Sequence, residues 1–242
     1  MTTAAQSEVP RRERARSATI EEIKATALEL MRESGTTDVH FTDIARVMGM
    51  TPPALYRYFA DRDELLTALI TDAYDDLGRA VAASRDAVPE NDIGGRWLAA
   101  ADAYRQWATR EPQQFALIFG MPVPGYVAPQ EGPTTEAASR ALAQLAALFT
   151  DAQDCGRLGR PILRDVDPDF TRCAEGKDEF SSIPTDTFQA MLHAWAALHG
   201  FTCLEAFNHL DWMEPAARDA LFRAQVRLAG KSAGLPSPRR TG

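Results

Sequence analysis

The chain has 242 residues and a mass of 26.6 kDa, with 26 Lys and Arg against 34 Asp and Glu, a formal net charge of −8 and a pI near 5.1. Its 45% hydrophobic and 25% charged content exclude wholesale disorder, and a chain of this length buries roughly 70% of its unfolded surface without a disulfide or metal staple. Cys155, Cys173 and Cys203 form no CxxC pair, which fits a reducing compartment, and no apolar run approaches the ~18 residues that span a bilayer, so a cytoplasmic protein with no membrane partner is expected.

Residues 1–17 have few apolar groups and no periodicity, and read as a disordered arm ending in the basic run Arg11-Arg12-Glu13-Arg14-Ala15-Arg16. Thr19 and Glu22 have capping-box spacing and open a first helix, with Ile20, Ile23, Ala27, Leu30 and Met31 on one face and Gly35 as its stop. Ile44, Ala45, Val47 and Met48 form the apolar side of a second helix, and Gly49-Met50 is a tight turn. Pro52-Pro53 pre-sets a third helix and pushes Thr51 into the extended region an N-cap needs, while Leu55 and Phe59, four apart, face inward. Asp61 and Glu64 make a second capping box, opening a longer helix through Leu77.

The remainder also reads helical. Helices are expected over residues 95–110, through Ala138 to Phe149, from Pro184 to about Leu210, and from Pro215 to Gly230. The Pro- and Gly-rich stretch 121–133 and the polar stretch 156–183 read as connections, and residues 231–242 as a disordered tail. No stretch alternates long enough for a strand, so the fold class is all-α.

The second helix, the turn at Gly49 and the third helix have the layout of a helix-turn-helix, in which a short braced helix can enter a major groove. The blocks Phe41-Thr42-Asp43-Ile44-Ala45, Gly49-Met50-Thr51-Pro52, Leu55-Tyr56-Arg57-Tyr58-Phe59 and Asp61-Arg62-Asp63-Glu64-Leu65-Leu66 resemble the DNA-binding domain of the TetR/AcrR family of transcriptional regulators. The resemblance covers about residues 18–66. It implies that Tyr56, Tyr58 and Arg62 contact DNA phosphates, and that Thr42, Thr51, Pro52, Pro53 and Ala54 lie nearest the base edges. Pro and Ala offer no hydrogen bonds there, so apolar contact with thymine methyls is expected, with Arg57 as the nearby bidentate donor. The family usually has Ser or Thr capping the second helix, where His40 stands here. From the residues alone, Tyr56 and Tyr58 packing between helices and Arg57 as a solvated charge remain open. The Arg11–Arg16 run is either a solubilising tail or an arm for an adjacent minor groove.

The segment His193-Ala194-Trp195-Ala196-Ala197-Leu198-His199-Gly200-Phe201 resembles the Trp…His-Gly segment of one C-terminal regulatory domain found on such regulators. That resemblance implies that residues 184–230 form two helices that dimerise. Small residues such as Ala190 and Ala194 allow close helix approach, and Leu198, Phe207 and Leu221 are the candidate buried side chains of a two-fold four-helix bundle. The other reading of the same residues is an intramolecular core pair. Trp97, Tyr104, Trp107, Phe115, Phe119, Phe149 and Trp195 supply an inventory that would line a cavity for an apolar effector, or simply fill a core.

No G-x-S-x-G, Walker loop or G-x-G-x-x-G occurs, and His199 with Cys203 is too small a set for a metal site, so no enzyme, metal or cofactor is expected. The chain thus divides into an arm (1–17), a reading domain (18–62), an effector-binding and dimerising domain (63–230) and a tail (231–242). The function expected is a homodimeric regulator on a palindromic double-stranded operator, with reading helices roughly 34–36 Å apart. By resemblance it is a repressor, released by a small apolar effector. The alternatives are a small-molecule-binding or catalytic helical bundle with a vestigial helix-turn-helix, and a ligand-independent regulator with a filled core.

Overall fold

The computed structural model describes residues 11–129, 131–175 and 183–239. Among them ten helices follow one another: α1 (Arg11–Ser34), α2 (Phe41–Val47), α3 (Pro52–Leu55), α4 (Arg62–Asp86), α5 (Ile93–Arg110), α6 (Pro112–Phe119), α7 (Pro133–Asp154), α8 (Pro168–Glu175), α9 (Thr185–Ala206) and α10 (Pro215–Ser232). The described residues contain no strand, and the all-α class stands.

The chain forms two compact units, Met1–Ala73 with Gln113–Thr134, and Tyr74–Pro112 with Thr135–Gly242. The first is wider than the 18–62 expected. It takes in residues 62–73 of α4, together with α6 and the loop after it. The reason is burial that no local pattern announces. Phe115, Leu117 and Val123 are buried, Tyr126 shares a 3.0 Å hydroxyl hydrogen bond with Thr67, and Pro124 offers its carbonyl to Arg62.

Within the first unit, α1 starts eight residues earlier than Thr19. The Thr19 hydroxyl caps nothing. It donates to the Ala15 carbonyl at 3.0 Å, inside the helix. Arg, Glu and Ala are good helix formers, so the basic run continues α1 outward instead of fraying into an arm. Residues 1–10 of that arm lie outside the described residues. Gly35 ends α1 at φ +67°, where the Thr36 amide returns to the Met31 carbonyl at 3.2 Å. Ile23, Ala27 and Met31 of α1, Ile44 and Ala45 of α2, Leu55 and Phe59, and Leu65, Leu66 and Leu69 of α4 are all buried. Val47, expected on the apolar side of α2, is 56% exposed.

In the second unit α5, α9 and α10 pack on one another. Trp97, Tyr104, Trp107, Met191, Ala194, Leu198, Phe201, Phe222 and Val226 are buried there, along with Leu148 and Phe149 of α7. The Trp97 indole donates to the Val226 carbonyl at 2.8 Å, and a Cβ on Gly230 would fall 2.6 Å from that indole nitrogen, so α10 needs glycine at this close approach. Arg96 ties α4, α5 and α7 together through Asp86 (2.9 Å) and Asp151 (2.7 Å).

Two expectations for this unit are corrected. The polar connection 156–183 contains α8, whose Phe170 ring lies 5.8 Å from Phe188 of α9; residues 176–182 are outside the described residues. The tail is packed as far as it is described. Ala233 and Leu235 are buried, Gly159 donates to the Gly234 carbonyl at 2.8 Å, and the Arg239 amide donates to Asp92 at 3.0 Å. Two apolar anchors and backbone pairing hold it, which its Ser/Pro/Gly composition hides.

Candidate nucleic-acid interface

The first unit builds a short reading segment on a buried base. Gly49 takes φ +64°, a conformation that costs a residue with a side chain, and turns the chain out of α2. Thr51 follows at φ −86°, ψ 143°, the extended geometry imposed by the next proline, though its hydroxyl makes no cap bond. α3 then runs for one turn. Leu55 (0% exposed) and Phe59 (5% exposed) anchor it from behind. Thr51, Pro52, Pro53, Tyr56 and Arg57 are consequently exposed, Ala54 and Tyr58 are half-buried, and Thr42 is exposed on the first turn of α2.

Tyr56 is 58% exposed, with its ring 5.2 Å from Phe41, so the aromatic body rests on the core edge and the phenol faces out. Neither tyrosine is sealed between helices. Tyr58 has the Arg16 guanidinium 5.8 Å from its ring centroid, and an Arg16 nitrogen donates to the Arg57 carbonyl at 3.3 Å. The sequence reading missed Arg16, because assigning residues 1–17 to a structureless arm removed it from any face. His40 stands at the N-cap of α2 in extended conformation, without a cap bond, 3.8 Å from Asp38.

The α4 capping box forms nearly as its spacing suggested. The Glu64 amide donates to Asp61 at 2.8 Å, but the Glu64 carboxylate returns to the Ala60 amide, one residue earlier than expected. Arg62, expected on a phosphate, is held inside the unit. Its Nε donates to the Val39 carbonyl at 3.0 Å, one terminal nitrogen donates to the Pro124 carbonyl at 3.3 Å, and the other pairs with Asp38. Three partners fix this side chain between the turn before α2 and the loop after α6.

The candidate effector residues separate into groups. Phe115 and Phe119 belong to the first unit, as a tilted pair 5.3 Å apart. Trp97, Trp107 and Phe149 are core of the second unit, with the Trp107 indole donating to Asp76 at 2.8 Å. Tyr104 and Trp195 meet around His199. The Trp195 ring stacks on the imidazole at 5.1 Å and 6°, and the Tyr104 hydroxyl lies 2.7 Å from His199 Nδ1. Burial drives the Tyr104 pKa up, so the phenol keeps its proton, and the other ring nitrogen, Nε2, lies 3.3 Å from Cys203 Sγ. Burial likewise pushes the His199 pKa down and the Cys203 pKa up. All three groups are held neutral.

The candidate dimer residues also divide. Ala190, Ala194 and Leu198 are buried within the protomer, on the side of α9 that packs in its own core, so a free surface for a second copy does not include them. Phe207 and Leu221 are 42% and 45% exposed. They extend an apolar seam the sequence reading did not separate from the core face. His193, Ala196, Gly200 and Leu204 lead to Phe207, and Ala217, Leu221, Ala224 and Leu228 run along α10, all exposed and all at steps of three or four.

Residues 23–69 match the family described as bacterial regulatory proteins, tetR family, and residues 97–229 match the tetracyclin repressor-like C-terminal domain. The HTH-type transcriptional regulator Rv1816 of Mycobacterium tuberculosis (strain ATCC 25618 / H37Rv) is 34% identical over 220 residues, covering 86% of this chain and 91% of its own. Among solved structures, that of SCO4313 superimposes with a TM-score of 0.72 at 32% identity, over 91% of this chain and 98% of its own. A protein from Rhodococcus sp. RHA1 shares the fold at TM-score 0.61 and 22% identity, over 92% and 98% of the two chains. Regulators of this kind bind DNA, form homodimers and are not enzymes, so the catalytic-bundle alternative is not favoured. The outward-facing α3 segment and the matches at both ends of the chain agree: this protein is a DNA-binding transcriptional regulator of the TetR family.

Proposed function

We propose that the protein represses transcription by occupying a palindromic operator as a homodimer in the cytoplasm, and leaves it when a small apolar effector binds the C-terminal unit. The observation that carries the DNA half is the exposed surface of Thr51, Pro52, Pro53, Tyr56 and Arg57, seated on the buried Leu55 and Phe59. Pro52, Pro53 and Ala54 offer apolar contact to thymine methyls, Arg57 offers a bidentate donor for guanine, and Thr42, Tyr56 and Tyr58 present hydroxyls for phosphates or base edges. Incubating the protein with random genomic fragments and sequencing those retained is the direct test. A two-fold symmetric sequence supports the reading, and no enrichment at any salt concentration removes it. Tyr56→Phe should weaken binding to every sequence about equally, by about 1 kcal/mol, because a phosphate contact carries no sequence information. A loss confined to one base substitution overturns that role.

The dimer half rests on the exposed seam of α9 and α10. Leu204, Phe207, Leu221 and Leu228, with alanines and Gly200 between them, fit a two-fold four-helix bundle. The effector half rests on the cluster of Tyr104, Trp195 and His199, where an indole face lies against a neutral imidazole that is hydrogen-bonded to a phenol, a mixed apolar and polar surface of the kind that orients a ligand. α4 is one continuous helix whose residues 62–73 belong to the first unit and 74–86 to the second. An effector that prefers a dimer with mismatched reading helices lowers operator affinity by its differential affinity for the two states. Titrating an apolar compound shown to bind the protein against the selected operator tests this, and unchanged operator affinity removes the mechanism.

A further inference from the structure

The geometry points to the first two turns of α1 as a second nucleic-acid contact, a basic helical spur that grips duplex backbone outside the half-site read by α3. This inference rests on the DNA-binding reading and adds a surface to it. Residues 11–18 are helical and every one is exposed, so this part of α1 contributes nothing to the core. Eight residues at 1.5 Å each make a rod of about 12 Å. It carries Arg11, Arg12, Arg14 and Arg16 against Glu13 alone, a net charge of +3 in a chain whose net charge is −8. The 100° step of a helix places the four arginines within an arc of about 200° and leaves Glu13 outside it.

The direction of that arc is fixed at one end. Arg16 donates to the Arg57 carbonyl at 3.3 Å and lies 5.8 Å from the Tyr58 ring, so its side of α1 is the side that meets the reading segment. Arg12 is four residues earlier, on the same face and one turn farther out. Arg11 and Arg14 lie to one side of it, about 100° and 160° around the helix, and widen the basic surface. A guanidinium track leading away from Tyr58 and Arg57 matches the negative backbone that continues past the bases α3 reads, and little else in an otherwise acidic protein asks for it. Arg16 has a second part in this arrangement. By holding the Arg57 carbonyl it fixes the end of the reading segment relative to the spur.

The test uses the full-length protein and a duplex it has itself selected from genomic fragments, prepared with its natural flanks and also trimmed to the protected half-sites. Arg11, Arg12 and Arg14 are changed together to glutamine, and in a second variant to lysine. On the flanked duplex the glutamine variant should bind at least tenfold more weakly. Its slope of log affinity against log salt should be smaller by up to about 5 for the dimer, at about 0.9 for each phosphate no longer neutralised. On the trimmed duplex the two proteins should bind alike, and the lysine variant should recover most of the slope. Circular dichroism melts should coincide, since nothing is buried at these positions. An unchanged slope, or equal losses on both duplexes, overturns the spur while leaving the regulator reading intact. Failure of the unaltered protein to select any duplex overturns both.

Discussion

The reading segment 51–58 and the helix pair α9–α10 both turn side chains away from a buried base, but what they present differs in kind. The first shows one turn of helix with two prolines, a threonine, a phenol and a guanidinium, standing on Leu55 and Phe59. The second shows leucines, a phenylalanine and small residues, repeated every three or four positions along two long helices. Few, directional, hydrated contacts suit a polyanion with readable edges. A long seam of aliphatic groups suits a surface like itself, where area carries the energy. Both faces rest on ordinary hydrophobic cores, so the partner is indicated by the exposed side of each helix and not by the fold beneath it.

That contrast can be broken most forcefully at the seam. Leu221→Glu together with Leu228→Glu should yield a monomer by analytical ultracentrifugation, with the helical circular dichroism kept. Operator affinity should fall about 10²–10⁴-fold, because the second half-site contact becomes bimolecular. A double variant that stays dimeric would move the interface elsewhere. On the reading side, Leu55→Ala removes a side chain with no exposed surface and should cost about 2–5 kcal/mol of stability, read by chemical denaturation, with loss of DNA binding as the segment loosens.

Arg62 separates a side chain that holds its own unit together from one that serves only a phosphate. With Val39, Asp38 and Pro124 as partners, Arg62→Gln should lower stability in the absence of DNA by about 1–3 kcal/mol. A residue serving only a phosphate would leave the melting temperature unchanged. The smallest effect belongs to His199, whose pKa burial holds below the ordinary 6.5. The unfolded chain binds that proton more readily than the folded one, so the imidazole's contribution is complete above pH 6.5 and is lost as the pH falls below it. Because the ring is partly exposed, the effect should stay under about 1 kcal/mol. Melting temperatures should drop more steeply on acidification for the unaltered protein than for His199→Gln, and parallel curves would remove His199 from the account.

Legibility followed sequence distance. The turn at Gly49, the extended Thr51, the inward pair Leu55 and Phe59 and the box at Asp61 and Glu64 involve neighbours within four residues, where backbone restrictions act directly. The dimer and effector candidates were harder. Ala190, Ala194 and Leu198 have the same character as the exposed Ala196 and Gly200, and a helix that is apolar on two sides does not say which side meets its own chain. The long-range contacts of Arg62 were not legible because those partners come from residues 38, 39 and 124.

Sequence alone determined the all-helical class, where the reading segment begins and ends, and that Leu55 and Phe59 face inward. These follow from torsional limits and helical periodicity, which are local. The exposure of Tyr56 and Arg57 came from the structure. Tertiary structure alone decided that α6 and its loop join the first unit, that the tail packs as far as residue 239, and that the basic run extends α1 beside Tyr58. It also decided which face of α9 is core. Each of these depends on burial and pairing between residues tens of positions apart, and such pairings leave no periodic trace in the segments that make them.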